Sequence, residues 1–242
     1  MAIASGSVVG NLGAQVAALI ARRILAGEPG PGATLPTEAE LCHRYGVSRT
    51  TVRDALKRLH GKGLVAGTTR AGTSVLPTGR WNQFDADLLA WRLEAGLDSE
   101  LLGELYQVRS CFEPEACRLA AEHATAEDNG RIRDAFDRMA ACRLDTARVV
   151  EADLDFHMAV VDATHNRFFI SVGAAVKTAL RVSFRLLQDR PDLPEDELAM
   201  HGAIAAAVAG GRGGEAADLM QALIALSQEH LSARVAPAAA AT

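Results

Sequence analysis

Asp153 and His157 stand four residues apart, and His201 lies farther along the chain; carboxylate and imidazole are groups that bind a divalent metal or hold a ligand oxygen. On a helix, a spacing of four places both side chains on one face. An ordinary helical ion pair explains the Asp-x-x-x-His spacing equally well, so the pattern alone leaves both readings open. His201 opens a segment composed mostly of alanine and valine, where a histidine faces either solvent or a site. A second group of residues has different chemistry. Arg49, Thr50, Thr51 and Arg53 fall together, and Arg70 follows beside Ala71 and Gly72. Arginine can offer paired donors to guanine O6 and N7, and threonine can donate to phosphate or touch a thymine methyl.

The elements that position this second group are written into residues 34–76. Thr37 and Glu40 form a capping-box pair that starts a helix, with Ala39, Leu41, Cys42 and Tyr45 expected on its inner face. Gly46 is suited to the left-handed helix end, and Ser48 can cap the next helix. In that helix Val52, Ala55, Leu56 and Leu59 make an apolar stripe, which leaves Arg49–Arg53 at an exposed N-terminal end. This is the end that a recognition helix presents to the major groove. Leu64–Thr69 and Thr73–Leu76 are expected to be two short strands around a turn whose basic tip is Arg70. Together these features predict a winged helix-turn-helix with a two-stranded wing.

Upstream, Leu12–Leu25 is an amphipathic helix that ends near Gly27. Beyond Pro77-Thr78-Gly79, apolar residues recur at helical spacing. Helices are expected at about 85–95, 99–122, 126–141, 147–163, 167–188, 195–210 and 214–233. The predicted fold is therefore mainly α. Residues 1–76 are expected to form the DNA-binding head, 77–84 a linker, 85–234 an all-helical antiparallel bundle, and 235–242 a disordered tail.

Charge separates along the same lines. Residues 1–76 hold nine Lys/Arg against four Asp/Glu, whereas residues 77–242 hold sixteen against twenty-six, so an acidic chain carries one basic module. Phosphate neutralisation is the physical reason for such segregation. Apolar residues make up 49% of the chain, enough to build a core in each domain, yet no apolar run reaches membrane-spanning length. The N-terminus has no basic segment leading into a long apolar one, so a cytoplasmic location with no membrane partner is expected. Cys42, Cys111, Cys117 and Cys142 show no CxxC spacing and are expected to be buried free thiols.

The run from Pro31-Gly32 through Leu35-Pro36-Thr37-Glu38, Gly46-Val47-Ser48-Arg49 and Thr51-Val52-Arg53 to Leu59 resembles the GntR family of bacterial transcription regulators. That resemblance aligns Arg49, Thr50, Thr51 and Arg53 with DNA-contacting positions and puts Arg70 in the wing. Ala39 departs from it, because many relatives carry a basic residue there. The segments Val108–Ala116, Ala152–His157 and Met200–Ile204 look like signatures of the FadR subfamily's helical effector domain, called FCD. The resemblance implies a divalent metal such as zinc, nickel or manganese at Asp153, His157 and His201, with a carboxylate effector beside it. The fourth family histidine is absent: counting from Met220, its place is taken by Leu223. His230 lies about 10 Å farther along the helix axis, too far to substitute. Two histidines and one carboxylate suffice for an open metal site, and a metal-free anion pocket also fits them.

The resemblance turns Arg109 toward the pocket, where its guanidinium would match a carboxylate bidentately; an ion pair with Glu113, one turn on, is the alternative. Arg80–Trp91 and the stretches through Glu122 and around Asp153–Asn166 resemble a narrower group, the galactonate-responsive repressors of sugar-acid operons. The expected protein is a homodimeric repressor that binds double-stranded operator DNA and is released by a small carboxylate or sugar-acid effector such as an aldonate. It is not expected to be an enzyme. A hydrolase using Asp153, His157 and His201 with Glu151 or Asp155 as base would lack any recognisable zinc-protease motif and would gain nothing from a DNA-binding head. A structural DNA-binding dimer with an empty effector domain is the other alternative.

Overall fold

Thr37 caps the helix that follows it, as its side chain and sequence spacing dictate. A computed structural model describes residues 12–68, 72–95, 99–186 and 193–235. In it the Thr37 backbone N–H and hydroxyl both donate to Glu40 Oε2 at 2.8 Å, and the Glu40 amide donates back to the Thr37 oxygen at 3.3 Å. The head consists of α1 (Leu12–Leu25), α2 (Glu38–Tyr45), α3 (Arg49–Gly61) and the antiparallel strands β1 (Val65–Thr68) and β2 (Gly72–Val75). Gly46 takes the left-handed conformation at φ 66°, and Ser48 accepts from the Thr51 amide to start α3. The strands pair in the register Val65↔Val75 to Thr68↔Gly72.

Val16, Ile20, Ile24, Leu41, Val52, Ala55, Leu59, Leu64, Val65 and Val75 form the core of this unit. Each fully buried aliphatic side chain of this size contributes about 1.5–3 kcal/mol before chain entropy is counted. Ala39, expected on the inner face of α2, is exposed instead. Leu41 alone closes that short helix onto the core, with Cys42 and Tyr45 half-buried.

The chain divides into two compact units, Met1–Gly96 and Leu97–Thr242. Residues expected to form a linker and the first effector-domain helix thus belong to the head. A 3-10 turn at Thr78–Arg80 leads to Trp81, whose indole N–H donates to the Leu76 carbonyl at 2.9 Å. In α4 (Ala86–Ala95), Leu88 and Trp91 join the same core as α1 and α3. Lys62 reaches Asp85 and Asp87, both at 2.7 Å, and lies over the Trp91 ring. Gly63 permits the close approach: its φ is +73°, and a β-carbon would fall 2.3 Å from the Arg80 carbonyl oxygen.

The second unit contains α5 (Ser99–His123), α6 (Ala126–Ala141), α7 (Thr146–Asp162), α8 (Arg167–Leu186), α9 (Glu195–Ala209) and α10 (Gly213–Val235). Its core gathers Tyr106 and Cys117 of α5, Ile132 and Met139 of α6, Phe156 of α7, Ile204 of α9 and Met220, Leu223 and Ile224 of α10. Pro114 sits inside α5 and lacks an N–H for the helical ladder next to the functional residues described below. Cys117 and Cys142 are buried free thiols as expected, but Cys42 is half-buried and Cys111 is exposed on the outer face of α5.

Asp128 is a fastening point of this bundle. It is buried, completes a capping box with Thr125, pairs with Arg131, and lies 2.8 Å from His165 Nε2. His165 holds a left-handed φ of 52° at the turn between α7 and α8. Burial opposes the Asp128 charge, but the Thr125 hydroxyl and amide, His165 and Arg131 outweigh it and hold the carboxyl well below its ordinary range. A depressed folded-state value means that the stabilisation is complete above the ordinary carboxylate range and is lost as the pH falls through and below it. Asp128→Ala is expected to lose about 1–2 kcal/mol near neutral pH and to flatten the acid limb of the stability curve. Urea unfolding followed from pH 7 to pH 3 checks both, and an unchanged pH slope would contradict the assignment.

Candidate functional site

The basic residues of α3 emerge where its capped N-terminus leaves them. Arg49, Thr50 and Arg53 are exposed, while Thr51 is half-buried with its hydroxyl 3.0 Å from the Ser48 hydroxyl. The buried stripe is Val52, Ala55 and Leu59, so one side of the helix is committed to the core and the other to solvent. Arg70 lies outside the described residues. The two histidines of the head, His43 and His60, are on the surface, and His60 Nδ1 contacts the Val65 carbonyl at 3.1 Å.

Two helices, α7 and α9, bring Asp153, His157 and His201 together inside the second unit. All three residues are buried. Asp153 Oδ1 lies 3.1 Å from His201 Nε2 and 3.9 Å from His157 Nε2, and the two Nε2 atoms are 3.4 Å apart. One ligand atom from each residue lies within 4.8 Å of the others. Two donors bound to one ion at about 2.0–2.2 Å stand roughly 3.0–3.4 Å apart, so a contraction of a few tenths of an ångström on the longest edge completes a three-donor cradle.

The outer ring nitrogens explain why the inner ones converge. His201 Nδ1 lies 2.7 Å from the Glu197 carbonyl oxygen, which can only accept, so Nδ1 carries the proton and Nε2 presents a lone pair. His157 Nδ1 lies 2.8 Å from Glu113 Oε2, an ion-pair contact off the hydrogen-bond axis that likewise favours a proton on Nδ1. With both outer nitrogens protonated, two neutral rings would point lone pairs at each other and at a carboxylate oxygen. A cation relieves that arrangement, either a divalent metal or a proton on one ring. Burial pushes His157 toward its neutral form, but Glu113 reverses this, and the net effect raises its affinity for a proton. The donor set therefore fits a metal ion and also tolerates its absence.

Arg109 and Glu113 extend the cluster along α5. Arg109 Nε lies 2.7 Å and Nη2 3.4 Å from the two Glu113 oxygens, with 2% and 4% of the residues exposed. The guanidinium also rests over the Tyr106 ring. Burial alone would raise the Glu113 value, but Arg109 and then His157 bring it down to about 2, so Glu113 is a carboxylate in the folded protein. The helical pair weighed as the alternative for Arg109 is thus present. Its consequence is a chain of contacts from Arg109 through Glu113 to His157.

Glu197 and the contact of Glu113 with His157 are the features of the site that sequence reasoning missed. The spacing of four from Arg109 gave the helical pair, but the contact of Glu113 with α7 has no signal in the sequence. Glu197 bonds His201 through its backbone, and its buried carboxylate lies 2.6 Å from His230 Nδ1. His230 therefore pairs with Glu197, and Leu223 at the fourth-histidine position is buried in the apolar core.

Comparison with known proteins agrees with this architecture. Residues 12–75 match the bacterial regulatory proteins of the gntR family, and residues 104–226 match the FCD domain. The chain is 34% identical over 216 residues to the uncharacterized HTH-type transcriptional regulator YieP of Escherichia coli (strain K12), covering 88% of this chain and 93% of that one. It is 33% identical over 178 residues to the galactonate operon transcriptional repressor of Escherichia coli (strain K12), covering 73% and 78% of the two chains. Among solved structures, Lar, which controls the expression of the Listeria monocytogenes agr system, shares the fold with a TM-score of 0.63 at 17% identity, covering 95% of this chain and 98% of that one. The chain thus belongs to the gntR family of bacterial regulatory proteins, and it is a DNA-binding transcription regulator that carries a winged helix-turn-helix and an FCD domain.

Proposed function

We propose that this regulator represses genes for sugar-acid catabolism and is released from its operator when an aldonate-like carboxylate binds beside Arg109, Asp153, His157 and His201. The observation that carries this reading is the charge balance of the buried cluster. Arg109 and Glu113 cancel, and Asp153 adds one negative charge; a divalent ion on Asp153 and two neutral histidines would leave one net positive charge. A single carboxylate brings that to zero, and buried charge demands such pairing. The bound ion would supply a Lewis-acidic anchor for ligand oxygens, and the mixture of nitrogen and oxygen donors suits zinc, nickel or manganese. The galactonate operon repressor among the relatives supports a sugar acid over other carboxylates.

DNA recognition is assigned to Arg49, Thr50, Thr51 and Arg53 of α3, and on the family resemblance to Arg70, which lies outside the described residues. Each chain offers one such helix, and a homodimer places two on the half-sites of a pseudo-palindrome. Val108 on α5 and Phe168 and Val172 on α8 are exposed apolar side chains that support pairing through the second unit.

A thermal-shift screen of aldonates, aldarates and the corresponding neutral sugars, on metal-loaded and chelator-treated protein, tests the ligand class. Acids are expected to raise the melting temperature of wild type and to lose most of that effect in Arg109→Lys. Equal shifts from a sugar acid and its neutral parent would overturn the carboxylate reading.

A further inference from the structure

We propose that Glu38 aims Arg53 at its base and so sets part of the operator specificity; this rests on the reading of α3 as the recognition helix. Glu38 is the first residue of α2 and Arg53 the fifth of α3, yet Arg53 Nε lies 3.1 and 3.0 Å from the two Glu38 oxygens. The arginine side chain is 69% exposed and the glutamate 38%, so as a fold-stabilising ion pair this contact contributes little.

Its effect on direction is another matter. An isolated arginine on a helix surface samples many rotamers, and holding one of them in advance removes an entropic cost from binding. The contact is made through Nε, which leaves the outer edge of the guanidinium, with its two parallel Nη donors, as the edge that matches guanine O6 and N7. Glu38 is itself well fixed. The Thr37–Glu40 capping box defines the start of α2, and the helix N-terminus favours a carboxylate there.

A carboxylate beside a DNA-reading side chain also repels phosphate. Residues 1–76 carry only four acidic residues, and one of them stands beside the DNA-reading end of α3. Such a placement reduces general DNA affinity in exchange for orientation, the signature of a specificity residue. Glu38 is therefore a positioning residue that acts through Arg53 and makes no base contact of its own.

The test uses the full-length protein with its binding site chosen from a randomised duplex library. Wild type, Glu38→Gln, Glu38→Ala and Arg53→Ala are compared on the selected duplex, on single-base variants of it and on random DNA, at two salt concentrations. Arg53→Ala is expected to lose discrimination at one base pair by about 5–150-fold. Glu38→Ala should lose at least about 5-fold at that same base pair, with unchanged or tighter binding to random DNA and an unchanged salt slope. Glu38→Gln keeps an acceptor oxygen and should retain part of the discrimination, which also guards against a misfolded Glu38→Ala. Discrimination retained in both Glu38 variants but lost in Arg53→Ala would overturn the positioning role and leave the recognition helix standing. Discrimination retained in Arg53→Ala would overturn the recognition reading itself.

Discussion

Glu113→Ala is expected to destabilise the second unit by about 3–5 kcal/mol, the largest single effect among the buried polar residues. Arg109 is 2% exposed, and although burial works against its charge, the Glu113 carboxylate more than offsets this and holds the guanidinium above its ordinary value. Arginine cannot shed its proton at any accessible pH, so removing Glu113 leaves a buried cation without its bidentate partner. The double variant Arg109→Met with Glu113→Leu should recover most of the loss, because two apolar side chains of similar size replace two charges that no longer need each other. Urea unfolding by circular dichroism measures all three. A loss below about 1 kcal/mol in Glu113→Ala would show that solvent reaches the pair, since exposed pairs contribute no more than that.

Loss of divalent-ion binding is the second large effect. Asp153→Ala, His157→Ala or His201→Ala each removes one of three converging donors and leaves two, which hold an ion poorly. Affinity should fall by about 100-fold or more, at or beyond the upper end of the roughly 10–100-fold that outer-sphere changes produce. Glu113→Gln falls in that lesser class, because Glu113 touches His157 only through the outer nitrogen. His230→Ala should change ion affinity less than any of the three, since its ring nitrogen contacts Glu197. Calorimetric titration of chelator-treated protein with zinc, nickel and manganese salts separates these classes. Wild-type affinity retained in His201→Ala would rule out the cradle, and equal losses in His230→Ala and His201→Ala would mean that His230 acts as a ligand.

Local chemistry made much of this protein legible in sequence. The Thr37–Glu40 capping box, the Gly46 turn and the Ser48 cap act within a few residues of themselves, so reading them required no knowledge of the fold. The boundary between head and bundle was not legible, because α4 is an ordinary amphipathic stretch whose partners, the core residues of α1 and α3, are distant in the chain. Trp81 and Trp91 decide its allegiance through packing and through the Lys62 contacts. The candidate site divides in the same way. The spacing of Asp153 and His157 shows that they share a helix face, but only the tertiary contact between α9 and α7 brings His201 to them. Glu113 could be paired with Arg109 on spacing, but its contact with His157 crosses from α5 to α7. Ala39 and Cys111 ended on exposed faces because a short helix and an outer face need fewer buried positions than an apolar count suggests.

Effector binding at the buried cluster is expected to weaken DNA binding by the recognition helix, and coupling between two binding events must be reciprocal. The most direct measurement follows fluorescence anisotropy of a labelled, selected duplex as D-galactonate and related aldonates are titrated in the presence of zinc, with acid binding measured separately on free and DNA-bound protein. Operator affinity should fall by about 5–150-fold at saturating acid, and acid affinity should fall by the same factor when operator is bound. Saturable binding of the acid that leaves operator affinity unchanged would contradict it.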